Sequence, residues 1–271
     1  MVMSIFLQLI ITLALTANPS GAAIESFAGY QVETNGSASV VGGVLRLTPA
    51  LNTQAGSAFI NQPFTLTQNT SFSTAFQFII TVGTGVADGL VFILQSDANG
   101  PDALGGWGID LGYSPISPSI AVEFDTWLNA GLDLDNNHIG IDVNGDLSSP
   151  GGQISVVPDL NSGSPVYAWV DYDGISNLLE VFVSSSSTKP VSPQLSTIVI
   201  IPFFLDSTYY AGFSAGTGGL NNTHDIENWT FASYEPSPVS VPTINEWGMI
   251  AFMLFAGFGA IYYLRRKRIE S

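Results

Sequence analysis

Between residues 24 and 234 no long stretch shows the apolar periodicity of a helix; short β-branched and aromatic runs recur instead, each closed by Gly, Asn, Asp, Ser or Pro. Phe72–Thr81, Leu90–Gln95, Ile120–Leu128, His138–Val143, Val166–Asp171, Leu178–Ser184, Tyr209–Ser214 and Ile226–Ala232 are examples. Runs of this length with turn residues between them predict an all-β fold, an antiparallel β-sandwich. In Tyr167–Tyr172 and Leu179–Val183 the apolar run is nearly continuous, as expected of strands covered on both faces. With 46% hydrophobic residues in 271, the chain can bury one core of ordinary size once its ends are set aside, and no internal repeat divides it.

The two ends read differently from the middle. Residues 1–22 run from an apolar block through Ile5 and Leu15 to small residues at Ser20-Gly21-Ala22, the pattern of a secretory signal peptide, although no Lys or Arg precedes the block. The sandwich is expected over residues 23–234 and a Pro/Ser linker over 235–240. Residues 241–268 then hold a short motif (241–248, Val-Pro-Thr-Ile-Asn-Glu-Trp-Gly), an apolar stretch (249–264) and the basic tail Arg265-Arg266-Lys267-Arg268. That tail contains four of the chain's six basic residues, an asymmetry that predicts a single transmembrane helix ending in the cytoplasm. The order of parts resembles the IPTL-type C-terminal sorting signal of Gram-negative bacteria. The resemblance implies an exosortase-like sorting enzyme as partner, and a protein exported to the cell envelope or released to the extracellular matrix after processing.

Six Lys and Arg stand against 22 Asp and Glu, a net charge of -16, which would repel a phosphate backbone and argues against nucleic acid as partner. Carboxylates gathered without a counter-ion repel one another, so the acidity points to bound cations. No cysteine is present to staple an exported domain. The informative segment is Glu123-Phe124-Asp125-Thr126-Trp127-Leu128-Asn129, followed by Asp133 and by His138-Ile139-Gly140-Ile141-Asp142. Along an extended strand Glu123, Asp125, Trp127 and Asn129 project to one face. A loop returning Asp133 and His138 to it would add hard oxygens, which suit calcium, and an imidazole, which suits manganese or a similar transition metal.

These residues resemble the metal strand of the L-type (legume-like) lectins, a jelly-roll, concanavalin-like sandwich. The resemblance implies that Glu123 and His138 bind the transition metal (Mn2+ or similar), that Asp125 and Asp133 bridge it to calcium (Ca2+), and that Asn129 and the Trp127 carbonyl complete the calcium shell. Leu134 stands where many members have Pro, and Asp135 is an alternative ligand. The resemblance extends to Val86–Phe92, where members hold the peptide before the Asp in the cis form, to Leu104-Gly105-Gly106-Trp107-Gly108, and to Ala211–Gly218 followed by Ile226–Phe231. By it, Asp88 accepts hydrogen bonds from sugar hydroxyls, Gly106, Gly216 and Thr217 offer backbone groups, Asn129 reads a hydroxyl, and the Trp127 ring lies under a pyranose. His224 reads as structural or solvated. A homodimer through sheet edges is a further expectation of the resemblance.

The expected function is therefore calcium-dependent glycan binding, without enzymatic activity. One alternative is a structural or adhesion protein of the extracellular matrix that keeps the metals but binds no sugar. Another is a jelly-roll glycoside hydrolase of the Glu-x-Asp-x-x-Glu type. A retaining glycosidase needs two suitably spaced carboxylates, and Leu128 occupies the place of the second Glu.

Overall fold

The structure, a computed structural model, describes residues 23–236 and 244–268. The expected signal peptide, linker residues 237–240 and motif residues 241–243 lie outside the described residues. The chain forms two compact units that meet in sequence at Glu235 and Pro236.

The first unit runs through β1 (Ala23–Phe27), β2 (Tyr30–Gly36), β3 (Ser39–Val41), β4 (Val44–Thr48), β5 (Gln54–Ile60), β6 (Phe64–Thr65), β7 (Ser71–Val82) and β8 (Gly89–Gln95). It continues through β9 (Ser119–Asp125), β10 (His138–Val143), β11 (Gln153–Ser155), β12 (Val166–Asp173), β13 (Leu178–Ser184), β14 (Leu195–Ile198), β15 (Thr208–Thr217) and β16 (Asn222–Tyr234). A nine-stranded sheet has the order β1-β2-β5-β15-β8-β9-β10-β11, with β6 on β15, and a seven-stranded sheet has the order β14-β13-β12-β7-β16-β4-β3. The pairings in both sheets are antiparallel.

Alternation explains why the two sheets close on each other. In β7, Phe72, Phe76, Phe78 and Ile80 are buried, while Ser73, Ala75 and Gln77 between them face outward. The inward rings meet those of the opposite sheet edge to face: Phe76 lies 4.9 Å from Phe213 and 5.6 Å from Phe124, and Phe213 lies 4.8 Å from Trp229. Such pairs add about 0.5–1.5 kcal/mol each beyond the area they bury.

Burial on both faces falls on strands other than those expected. β12 alternates, with Val166, Ala168, Val170 and Tyr172 buried and Tyr167 and Trp169 partly exposed, and Glu180 on β13 is partly exposed as well. The strands buried throughout are β8 and β9. The connection between them folds back so that Leu111, Tyr113 and Ile116 cover Val91, Ile93 and Ala121, forming a second apolar layer outside the nine-stranded sheet. Tyr and Trp count as apolar in a sequence run, yet their polar tips let them rest at a half-exposed surface.

The second unit is helix α1 (Ile244–Lys267). Its segment Gly248–Lys267 has a mean hydropathy of 1.4 and is long and apolar enough to cross a membrane. The basic cluster, expected to follow the helix, instead forms its last turn through Lys267. Arg and Lys are good helix formers and their charge is favourable at a helix C-terminus.

His224 on β16 is fully buried, its Nδ1 lies 2.6 Å from the Thr48 hydroxyl, and its Nε2 has no partner. Burial pushes its pKa down to about 3 from an ordinary 6.5. The unfolded chain therefore takes up a proton that the folded chain refuses, so stability is full above pH 6.5 and is lost as pH falls towards 3. Urea unfolding at pH 4.5 is expected to show a loss of about 2–3 kcal/mol relative to pH 7 from this group. The same comparison in His224→Gln should lack that increment.

Candidate functional site

β9 and β10 carry the acidic cluster, and their register builds it. His138 pairs with Asp125 and Gly140 pairs with Glu123, so the three polar side chains share one face of the pair. Ligand atoms of Glu123, Asp125 and His138 lie within 4.8 Å of one another, and all three residues are buried. Gly140 is required where it stands: a Cβ there would lie 2.2 Å from both Glu123 Oε1 and Ser149 Oγ. The Ser149 hydroxyl donates to Glu123 Oε1 at 2.5 Å, and the Ser149 N–H donates to Asp142 Oδ1 at 3.1 Å.

The electrostatics suit a cation. Burial raises Asp125 well above the usual carboxylate range, and the charges of Glu123 and Asp133 raise it further. Asp133 is raised by burial and Asp142 by burial and Glu123. Burial alone would lower His138, but the adjacent Glu123 carboxylate and the charges of Asp125 and Asp133 outweigh this and lift it to about 9. Its Nδ1 lies 2.9 Å from the Asp135 carbonyl, and its buried Nε2, 3.4 Å from Glu123 Oε1, has no hydrogen-bond partner. An imidazole held through one nitrogen with the other aimed at carboxylates is the arrangement of a metal ligand. Carboxyl oxygens, a free imidazole nitrogen and mutual repulsion fit a divalent ion.

Asp133 and Asn129 occupy the turn after β9. The Asn129 N–H donates to Asp133 Oδ2, and the Asp133 N–H returns a 3.1 Å bond to the Asn129 carbonyl. Asp133 is thus held near enough for its charge to act on Asp125 and His138. Asp135, the alternative ligand, accepts instead from the Asn137 N–H at 2.8 Å and from the Ser155 hydroxyl, and it braces the far side of His138. The extended run through Asn129 stops at Asp125. There the Thr126 N–H and hydroxyl both donate to the Asp88 carbonyl at 2.9 Å, and the Trp127 N–H turns back to Asp125 Oδ1 at 2.6 Å. A carboxylate capturing an N–H two residues on is an Asx turn, which ends a strand. Trp127 consequently leaves the strand face and is 39% exposed.

Asp88 lies beside this turn. The Ala87–Asp88 peptide is cis. The Asp88 N–H donates to the Gly216 carbonyl at 3.1 Å, and its carboxylate is buried with Oδ2 unpartnered. Burial lifts its pKa to about 6, partly offset by the Gly218 N–H. Gly108, with φ +66°, and Gly218 are the glycines against that carboxylate: a Cβ on Gly218 would lie 3.1 Å from Oδ2 and one on Gly108 4.0 Å. Gly106 donates its N–H to the Ser114 carbonyl at 2.8 Å, and the Thr217 hydroxyl donates to Leu51 at 2.7 Å. Gly216 lies beside Gly108 and holds the Asp88 N–H, whereas the Gly106 N–H and the Thr217 hydroxyl are spent within the fold. Gly108, Gly218 and Thr126 lie within the segments that carry the resemblance but have no role assigned by it, and Ser149 lies outside them; contacts between distant segments are what place all four.

Residues 23–245 match the Legume lectin domain family. The L-type lectin-domain containing receptor kinase VIII.1 of Arabidopsis thaliana is 34% identical over 248 residues, covering 85% of this chain and 35% of the relative. The L-type lectin-domain containing receptor kinase S.7 of Oryza sativa subsp. japonica is 37% identical over 188 residues, covering 62% of this chain and 26% of the relative. The chain thus spans roughly a third or less of the length of these relatives. Among solved structures, the lectin from Bauhinia forficata in complex with GalNAc superposes with a TM-score of 0.65 at 32% identity, over 76% of this chain and 93% of that one. Basic winged bean lectin with Tn-antigen gives 0.66 at 29% identity over the same shares. The chain belongs to the legume lectin domain family.

Because Glu123 and Ser149 fill the space above residue 140, Gly140→Ala is expected to lower unfolding stability by about 1–3 kcal/mol, read by urea denaturation.

Proposed function

We propose that this chain is an exported lectin that binds a glycan in a calcium-dependent manner and is held at a membrane by its C-terminal helix. One observation carries the reading: a buried, unpartnered Asp88 Oδ2, flanked by Gly108 and Gly218, belongs to a residue whose carbonyl is tied through Thr126 to the strand of the acidic cluster. Such an acceptor has its desolvation cost met when a ligand hydroxyl donates to it.

Glu123 and His138 would hold a transition metal such as Mn2+, Asp125 and Asp133 would contribute to both ions, and Asn129 with the Trp127 carbonyl would complete a calcium shell. Bound there, the cations supply positive charge that neutralises the cluster and stiffens the turn between Asp125 and Asp133. The protein's own groups do the reading: Asp88 accepts from hydroxyls, the Asn129 amide adds a directional contact, and the half-exposed Trp127 ring offers an apolar face to a pyranose. The Bauhinia forficata lectin solved with GalNAc and the winged bean lectin solved with Tn-antigen support a sugar as ligand. Leu128 stands where a glycosidase of the Glu-x-Asp-x-x-Glu type needs its second carboxylate, which disfavours hydrolysis.

Export and anchoring rest on the two ends of the chain. The helix carries Arg265, Arg266 and Lys267 in its last turn, which supports an orientation with the basic end in the cytoplasm. The order of motif, helix and basic tail supports handling by an exosortase-like enzyme and delivery to the cell envelope.

A glycan array probed with the full chain is expected to give hits with calcium and manganese that disappear in EDTA and weaken about tenfold or more in Asp88→Ala and Asn129→Ala. EDTA should also lower the Tm, because ions that bind only the folded state stabilise it. A folded, metal-binding protein with no hits would favour the scaffold or adhesion reading.

A further inference from the structure

We propose that the outer face of the seven-stranded sheet carries a second carbohydrate site, built for a neutral polysaccharide and independent of Asp88. The face lies on the far side of the core from the nine-stranded sheet, and its centre is formed by β12, β7 and β16 side by side. Cross-strand register lines up two outward rows: Tyr167, Gln77 and Asn228 in one, and Trp169, Ala75 and Thr230 in the other. Ala75 is the only small residue of the six. The gap above it, between Trp169 on one strand and Thr230 on the other, is the floor of an open trough of about 400 Å³.

The two walls differ in chemistry. One is aromatic: the rings of Tyr167 and Trp169 lie 6.5 Å apart with planes 23° from parallel, and both are partly exposed. The other is made of side-chain amides and a hydroxyl, with Asn228 Nδ2 in a long 3.4 Å bond to Gln77 Oε1 and Gln77 Nε2 donating to Glu227. The backbones of β7, β12 and β16 are committed to the ladders, so on these strands a ligand meets side chains; Ala28 and Ser187 also line the trough. A pyranose matches this division, because its C–H face stacks on an aromatic ring while its hydroxyls both donate and accept. Among the described residues no Lys or Arg lines the trough, and Glu227 stands beside it, which disfavours phosphate, nucleic acid and acidic glycans. An open trough across three strands admits a chain rather than a single buried sugar.

The test uses the full chain in a sugar-free detergent, with calcium present and Asp88→Ala in place to silence the first site. Cellohexaose, mannohexaose and maltohexaose are titrated by calorimetry. At least one should still bind, and adding Trp169→Ala should weaken it about tenfold or more, while Trp169→Phe retains most of the affinity. Should Trp169→Ala misfold, Asn228→Ala at the exposed wall replaces it and is expected to weaken the same titration several-fold. Absence of binding to all three hexasaccharides by Asp88→Ala, or binding indifferent to Trp169 and Asn228, overturns the proposal. So does sedimentation showing that Trp169→Ala converts a dimer to a monomer without any sugar binding, which would make the trough a contact between copies of the chain. Failure of the first site appears separately, as loss of calcium-dependent hits with Asp88 intact.

Discussion

Two hydrogen bonds from Thr126, one from its N–H and one from its hydroxyl, end on the carbonyl of Asp88 and join the two parts of the site. They form where β9 stops, one residue beyond Asp125, and where Gly89 lies across from Asp125 on β8. Any order imposed on the acidic cluster is therefore passed over a distance of one residue to the group that would accept from a ligand. Asp88 in turn is held on its other side by the Gly216 carbonyl, so its position is set by three strands at once. Pre-ordering of this kind lowers the cost of binding because fewer groups need to be fixed when the ligand arrives.

The same cluster is expensive for the fold. Glu123, Asp125 and Asp142 are buried together with His138, and charges removed from water cost several kcal/mol each unless neutralised and hydrogen-bonded. Ser149 bonds two of the carboxylates and Asp135 braces the imidazole, but Asp142 Oδ2 and His138 Nε2 stay without hydrogen-bond partners. A stable sandwich keeps such a set because the large aromatic core, from Phe72 to Phe231, carries the stability elsewhere.

The two sheets play unequal parts. Beyond β8, the connection to β9 is pinned by Tyr113, whose hydroxyl lies 2.8 Å from Ser119 Oγ and accepts from the Gly145 N–H at 3.0 Å. This folded connection both seals the outside of the nine-stranded sheet and delivers Gly108 to the Asp88 carboxylate. On the seven-stranded sheet no such layer crosses the middle, and Tyr167 and Trp169 remain in reach of solvent.

Alternation, turn residues and the spacing of acids were legible along the chain. They are local properties, and they suffice for the strand character of segments such as 138–143 and 178–184 and for the pairing of carboxylates with His138 as a candidate ligand set. Register is not local: Gly140 faces Glu123 because β9 and β10 pair as they do, and only that pairing shows why a side chain is excluded there. The end of β9 at Asp125 was likewise invisible, since the next residue, Thr126, donates both of its hydrogen bonds to the carbonyl of Asp88, 38 residues before it. Tyr167 and Trp169 read as core by hydrophobicity and became surface because no further layer packs on them. The sequence by itself determined which residues prefer strands and which can ligate or accept; the tertiary structure decided which of them meet, because contacts between distant segments depend on pairing and packing that a single run of residues does not contain.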